Sequence, residues 1–267
     1  MPDTTARRLA VVLVLAGLVG TAALAHAGSL VMQPLQVRHD ASVVAPIYRG
    51  TPSGDFPAVV AIVITEADSS QGLCSGTLIS PTIVLTAGHC LASDPQFATV
   101  YFLPDGVTVV GHPANRYAVH PDFNFAVAAF SDVAVLGLVD PVTDVAPLPL
   151  ASGAPRAGTK NMIVGFGDDG AGDIGTKRVG AVRVKTCPRA IRRVGIGRGQ
   201  LSTSICWKPK RRGNDTCPGD SGGPLLARGA VAGVTSGGYG VGSCPGLLSW
   251  DTSVLKVRAF IDQALAL

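Results

Sequence analysis

The chain has 267 residues, 47% of them hydrophobic, with a formal net charge of +4. That apolar content supports a buried core, which excludes a disordered chain, and the length suits one large β domain or two small ones. Aromatic residues are few (5%), whereas there are 33 glycines and 19 prolines, a balance that favours many short strands joined by turns over a helical bundle.

Arg7-Arg8 opens the chain with positive charge, Leu9 to Leu24 is an almost uninterrupted apolar run, and Ala25-His26-Ala27 supplies small residues at its exit. This pattern predicts an export signal over 1–27 and a secreted or periplasmic mature protein. The alternative is an uncleaved membrane anchor, because the run approaches the ~20 residues needed to span a bilayer. Gly17, Gly20 and the alanine-rich exit favour cleavage, so no stable membrane anchor is expected. Residues 28–46 are polar and mixed, end at Ala45-Pro46, and read as a short propeptide. All six cysteines lie beyond the signal, and an even number in an exported protein favours disulfides. No Cys-x-x-Cys pair or paired histidine spacing supports zinc, so no metal is expected.

Strands are predicted at Val59 to Thr65, Thr77 to Ser80, Ile83 to Thr86, Val107 to Gly111, Tyr117 to His120 and Val133 to Val139. Leu85-Thr86-Ala87-Gly88-His89-Cys90 sets a histidine at the end of the third, making His89 a candidate base. Ser131-Asp132-Val133 puts one carboxylate at the head of the sixth, where Asp132 could orient an imidazole. The stretch 147–158, rich in Pro, Ala and Gly, reads as a crossing to a second set of strands. These are predicted at Met162 to Phe166, Gly180 to Lys185, Ser202 to Trp207, Leu225 to Ala227, Val231 to Thr235 and Leu247 to Asp251. Residues 174–214 carry twelve Lys or Arg and no acid. That asymmetry reads either as a solvated, cleavable loop or as an exosite for an acidic partner; no specific nucleic-acid partner is expected. Val254 to Ala266 has apolar residues at helical spacing and predicts the one helix.

Gly219-Asp220-Ser221-Gly222-Gly223-Pro224 places a serine among glycines, directly after a carboxylate. A serine hydroxyl is a weak nucleophile near neutral pH unless a base takes its proton. His89 and Asp132 supply a base and a group to fix its tautomer and stabilise the imidazolium. Taken singly, each fragment fits an ordinary turn or core contact as well.

Thr86-Ala87-Gly88-His89-Cys90, then Asp132 with its apolar run, then Gly219 to Pro224 resemble the trypsin/chymotrypsin-like serine proteases, in the same chain order. The resemblance runs from about Ile47 to the end, with smaller echoes at Phe56-Pro57, His120-Pro121, Gly165-Phe166-Gly167, Ser236-Gly237-Gly238 and Pro245-Gly246. It implies an all-β fold of two six-stranded antiparallel barrels with a C-terminal helix, spanning 47–267. It also implies a secreted endopeptidase acting on polypeptide substrates without a cofactor. Ser221 would be the nucleophile, His89 the proton carrier, Asp132 the orienter, and the amides of Gly219 and Ser221 the oxyanion donors. Asp215 matches the acid at the base of a pocket for Arg or Lys, and Gly238 and Gly246 the small residues that keep it open, with Ser236 beside them. The alternative for Asp215 is a surface turn. Ile47 matches the mature N-terminus, whose freed ammonium pairs with Asp220. The pairings implied are Cys74 with Cys90, Cys187 with Cys206 and Cys217 with Cys244.

The chain departs from the family's pattern in four places. Tyr48-Arg49 stands where Val-Gly is usual, and Pro46 precedes the scissile bond. Gly237 replaces an aromatic wall, which predicts looser selectivity for the substrate's neighbouring residue. Pro218 precedes the oxyanion glycine, and Val107 to Arg116 lacks the carboxylates of a calcium loop. The rival reading is a catalytically silent family member that binds polyanions or proteins.

Overall fold

A computed structural model describes residues 30–37, 47–93, 95–103, 105–124, 131–185, 187, 203–210, 213–240 and 244–267. The expected export signal over 1–27, most of 28–46 and the centre of the basic stretch lie outside them. In chain order the strands are β1 (Gln33–Pro34), β2 (Thr51–Pro52), β3 (Val59–Glu66), β4 (Gln71–Ser80), β5 (Ile83–Thr86), β6 (Pro95–Phe102), β7 (Val110–Val119) and β8 (Ala134–Leu138). There follow β9 (Lys160–Gly165), β10 (Arg178–Lys185), β11 (Ser204–Trp207), β12 (Pro224–Ala227), β13 (Ala230–Tyr239), β14 (Leu248–Ser253) and, among the described residues, one α-helix, α1 (Arg258–Leu265).

Two antiparallel rings result. The first runs β7-β6-β3-β4-β5-β8 and is closed by the β7–β8 pairing, with β1 added outside β7. The second runs β11-β14-β13-β12-β9-β10, closed by β11–β10, with β2 added outside β10. Closure gives every ring strand a partner on both sides and leaves no barrel edge. Ile62, Leu78, Leu85, Val100 and Leu136 are at most 1% exposed and fill the first barrel. Ile163, Ile205, Trp207 and Leu225 fill the second. Burying each such side chain contributes about 1.5–3 kcal/mol.

Several element boundaries differ from expectation. β4 starts at Gln71 instead of Thr77, because Gly72, Ser75 and Gly76 extend a strand that their own propensity disfavours. β6 was not expected at all, whereas the two short strands expected between Val107 and His120 are a single strand, β7. The helix begins at Arg258, since Ser253 O accepts bonds from Lys256 and Val257 N–H and holds the preceding residues in a turn.

The chain leaves the first barrel where Leu148 N–H bonds to Leu78 O (3.0 Å) and joins the second where Ala151 N–H bonds to Val231 O (2.9 Å). A buried lysine ties the barrels again: Lys177 Nζ donates to Phe56 O at 3.1 Å. Its burial, only partly opposed by Asp55, pushes its pKa down to about 8. Part of the expected propeptide lies on the first barrel, with β1 paired to β7 and Leu35 buried in its core. α1 packs Phe260, Ile261 and Ala264 against that same core. Among the described residues no helix is long and apolar enough to cross a membrane.

Candidate active site

Antiparallel pairing of β5 with β8 sets Thr86 opposite Ala134, so the residues after one strand meet those before the other. A single 3-10 turn over Gly88–Cys90 then carries His89, while Ser131, in the left-handed region at φ 47°, turns the chain into Asp132. The Asp132 carboxylate is fully buried and takes two bonds from His89, at Oδ2 from Nδ1 (2.7 Å) and at Oδ1 from the main-chain N–H (2.8 Å). Ser236 Oγ donates to the same Oδ2 at 2.7 Å, and Thr252 Oγ1 to the Asp132 carbonyl at 3.0 Å. A buried carboxylate with these donors needs no second cation. The His89 side chain keeps 25% exposure, so its other ring edge stays accessible.

The serine loop is fixed from both barrels. Ser75 N–H donates to Ser221 O (2.7 Å), and Ser75 Oγ to Gly219 O (2.9 Å) while itself accepting from Phe166 N–H (3.0 Å). Gly222 N–H bonds to Thr235 O at 2.8 Å, and a Cβ on Gly222 would fall 2.8 Å from Ala87 N, so this loop sits against the segment leading to His89. Asp220 N–H returns to Cys217 O at 3.0 Å, closing a turn with Pro218 and Gly219 at its centre and Gly219 at φ +94°. Proline followed by a positive-φ glycine is what a type II turn requires, so Pro218 stiffens this turn without distorting it. Among the described residues the N–H groups of Gly219 and Ser221 have no protein acceptor.

Asp215 is inside the second barrel, not in a surface turn. It is 0% exposed and accepts bonds from Trp207 Nε1 (3.1 Å), Ser249 Oγ (2.6 Å) and Gly246 N–H (2.8 Å). Burial raises its pKa, and those donors oppose the rise. The Cys217–Cys244 disulfide ties its segment to that of Gly246. The other two disulfides join Cys74 with Cys90 and Cys187 with Cys206. Cys74, His89 and Cys90 cluster tightly, but both sulfurs are in a disulfide and supply no thiolate for a metal.

Asp220, also 0% exposed, accepts from Gly167 N–H (2.7 Å) and Cys217 N–H (2.8 Å). Burial lifts its pKa well above the carboxylate range, and Asp215 and Asp168 add to the rise. The Ile47 side chain is fully buried in the second barrel. Tyr48 pairs with Asp215 by an isolated bridge, and its ring covers Gly170, while Arg49 takes φ 50° where the family has glycine.

A pH effect follows from the buried acids. Asp215, Asp220 and Asp251 all have raised folded pKa values against an unfolded value of 3.8. The native state therefore holds more protons above that value, and their contribution to stability falls as pH rises from about 4 toward neutrality. Thermal melts of the uncut chain, carrying Ser221→Ala to prevent autolysis, should show Asp251→Asn flattening this fall. An unchanged slope would mean that Asp251 ionises as freely in the fold as in the unfolded chain.

Some functional partners gave no signal in sequence. Ser75, Thr252 and Ser249 are small hydroxyl residues within strands, and only the closed barrels reveal what they face. Ser236, expected beside the substrate, spends its hydroxyl on Asp132. Gly237 is paired with Trp250, whose indole would lie 3.1–3.5 Å from a Cβ at that position. An aromatic surface therefore does back Gly237, contributed by β14. Residues 188–202 of the basic stretch lie outside the described residues.

With this geometry in view, the likeness to known proteins is specific. The trypsin family model matches residues 48–258. A trypsin of Saccharopolyspora erythraea is 34% identical over 70% of this chain and 83% of its own length. Trypsin 5G1 of Aedes aegypti is 31% identical over 74% of this chain and 77% of its own. Serine protease 56 of Mus musculus is 34% identical over 80% of this chain, which spans only 37% of that longer protein. Among solved structures, HL collagenase superposes with a TM-score of 0.69 at 25% identity, over 82% of this chain and 99% of that one. The family match over most of its length and these relatives agree with the two barrels: the chain belongs to the trypsin family and is a serine endopeptidase.

Proposed function

We propose that this endopeptidase cleaves polypeptides after arginine or lysine through a Ser-His-Asp mechanism, as a secreted or periplasmic enzyme. The observation that carries the mechanism is the buried Asp132 carboxylate holding both the ring and the main chain of His89, with the Ser221 loop packed beside them. Ser221 Oγ attacks the substrate carbonyl while His89 Nε2 takes its proton. Asp132 keeps Nδ1 protonated and offsets the imidazolium charge. Negative charge on the tetrahedral oxygen is met by the N–H groups of Gly219 and Ser221, a contribution of about 10²–10³ in rate per donor. His89 then passes its proton to the leaving amine, giving an acyl-enzyme. Water, deprotonated by the same imidazole, hydrolyses that ester and restores Ser221.

Asp215 selects the substrate. A buried carboxylate with no cation beside it among the described residues is matched best by a long basic side chain, whose charge it balances. Lys210 is exposed just upstream and is the expected autolysis site, since the bond after Lys208 leads to Pro209.

Activation would follow removal of 1–27 and cleavage after Pro46. The freed Ile47 ammonium would give Asp220 a cation that no described side chain supplies, and breaking such a buried pair from one side costs about 3–5 kcal/mol. A chain beginning at Ile47 should therefore hydrolyse an arginine anilide at least ~100-fold faster than one that retains Pro46. N-terminal sequencing beside the rate measurement checks this. Equal rates for both forms would overturn the role of Ile47.

A further inference from the structure

Asp251 lies on β14, two residues beyond Ser249, which donates to Asp215. Side chains two apart along a strand share a face, at about 7 Å. In register, Asp251 stands opposite Thr235 on β13 and Ile205 on β11, and Ile205 is two residues from Trp207, the indole donor to Asp215. Asp251 thus shares the interior that holds Asp215. It is 0% exposed, and among the described residues neither carboxyl oxygen has a hydrogen-bond partner of good geometry. Gly233 makes its room: a Cβ there would come within 2.7 Å of Asp251 Oδ2. The neighbouring strands present Thr235, Gly233 and Ile205, none of them charged. Among the described residues, the charged group that acts on it is Asp215.

An ionised carboxylate in such a place, with only the Thr235 hydroxyl to oppose its desolvation and no cation among the described residues, is strongly disfavoured. The mechanism has no use for it, yet it neighbours the residue that receives the basic side chain. Resting on the reading of Asp215 as that receptor, we propose that Asp251 is a second, hidden acid of the specificity pocket. It is neutral when the pocket is empty and ionises when a basic side chain is seated at Asp215. The proton leaves the Asp251 carboxyl for solvent, and the pocket gains one negative charge against the bound cation. Asp251 is thus a positioning residue that acts through Asp215, making recognition of arginine or lysine proton-coupled. Burial, reinforced by Asp215 and partly opposed by the Thr235 hydroxyl, holds its pKa well above the carboxylate range, as a reservoir of this kind requires.

Benzamidine, a small cationic amidine, tests this on the processed enzyme. Calorimetric titration between about pH 6 and 9, where deeply buried carboxyls titrate, in buffers of different ionisation heat reads the protons exchanged on binding. Wild type should release a substantial fraction of a proton, and its affinity should gain a step of about tenfold across that range, the scale of two coupled sites. Asp251→Asn should lose both the release and the step. Asp251→Val, of similar volume, should do the same if the asparagine variant folds poorly. Proton release and affinity profiles unchanged in a folded variant would overturn the proposal, as would failure of both variants to fold, which would make the carboxyl a structural requirement. If Asp215→Asn leaves arginine preference intact, the reading of the pocket fails. If Asp215 proves decisive while Asp251→Asn behaves as wild type, only the hidden acid fails.

Discussion

Ser221→Ala in the processed enzyme is expected to lower kcat/KM for an arginine anilide by about 10⁵-fold, within the span seen when a nucleophile that acts as a unit with its base is removed. The size of the loss comes from the way the site is built. Asp132 and His89 are locked to each other whether or not Ser221 is present, so without a hydroxyl to activate they retain only weak activation of water. The oxyanion donors and the substrate pocket survive, and account for the residual rate. Ser75 and Thr235 hold this loop through backbone atoms, with Ser221 O and Gly222 N–H as partners. The variant should therefore fold and bind benzamidine as wild type does. Steady-state kinetics and benzamidine titration on the same preparation check both halves. Substantial turnover with intact binding would contradict Ser221 as the nucleophile.

Asp215→Asn should cost nearly as much, but selectively. Its kcat/KM for arginine and lysine substrates should fall by roughly 10⁴-fold, the scale on which a site built around one polar partner discriminates. Hydrolysis of a substrate with an uncharged side chain at the same position should change by less than about tenfold. Asparagine retains an acceptor oxygen for Trp207 Nε1 and Ser249 Oγ, which both bond to one oxygen of Asp215. The charge is thus removed while most of the local structure is kept. Equal losses on basic and uncharged substrates would indicate a structural role for Asp215 and remove the basis for basic specificity.

The two outcomes rest on residues of different legibility. His89, Asp132 and Ser221 could be read from the chain because each carries reactive chemistry within a short, ordered fragment, and their order matches a known family. Their supports could not. Ser75, Thr252 and Ser249 are ordinary strand residues until barrel closure brings β4 to the serine loop and β14 to both Asp132 and Asp215. Asp251 reads locally as the end of a strand, and only the register with Ile205 and Thr235 shows it facing inward. In the fold, the strands expected at Val107 to Gly111 and Tyr117 to His120 run into one β7, because Gly111 and Pro113 pair with Tyr101 and Thr99 of β6. β6 itself was hidden by Pro95 and Gln96 at its start. Non-local pairing overrides local propensity at these positions. Two departures from the family's pattern resolve differently: Pro218 meets the needs of a type II turn, whereas Arg49 keeps a left-handed conformation at a cost of about 1–2 kcal/mol.

Active-site titration with a nitrophenyl ester of guanidinobenzoate tests nucleophile, base, oxyanion site and acidic pocket together. The guanidinium must seat at Asp215 before Ser221 can be acylated, and slow deacylation makes the first turnover visible as a burst of nitrophenol. Protein shown by N-terminal sequencing to begin at Ile47 should release close to one equivalent per molecule, and none in Ser221→Ala. Absence of a burst from correctly processed, folded protein would contradict a trypsin-like acyl-enzyme mechanism for this chain.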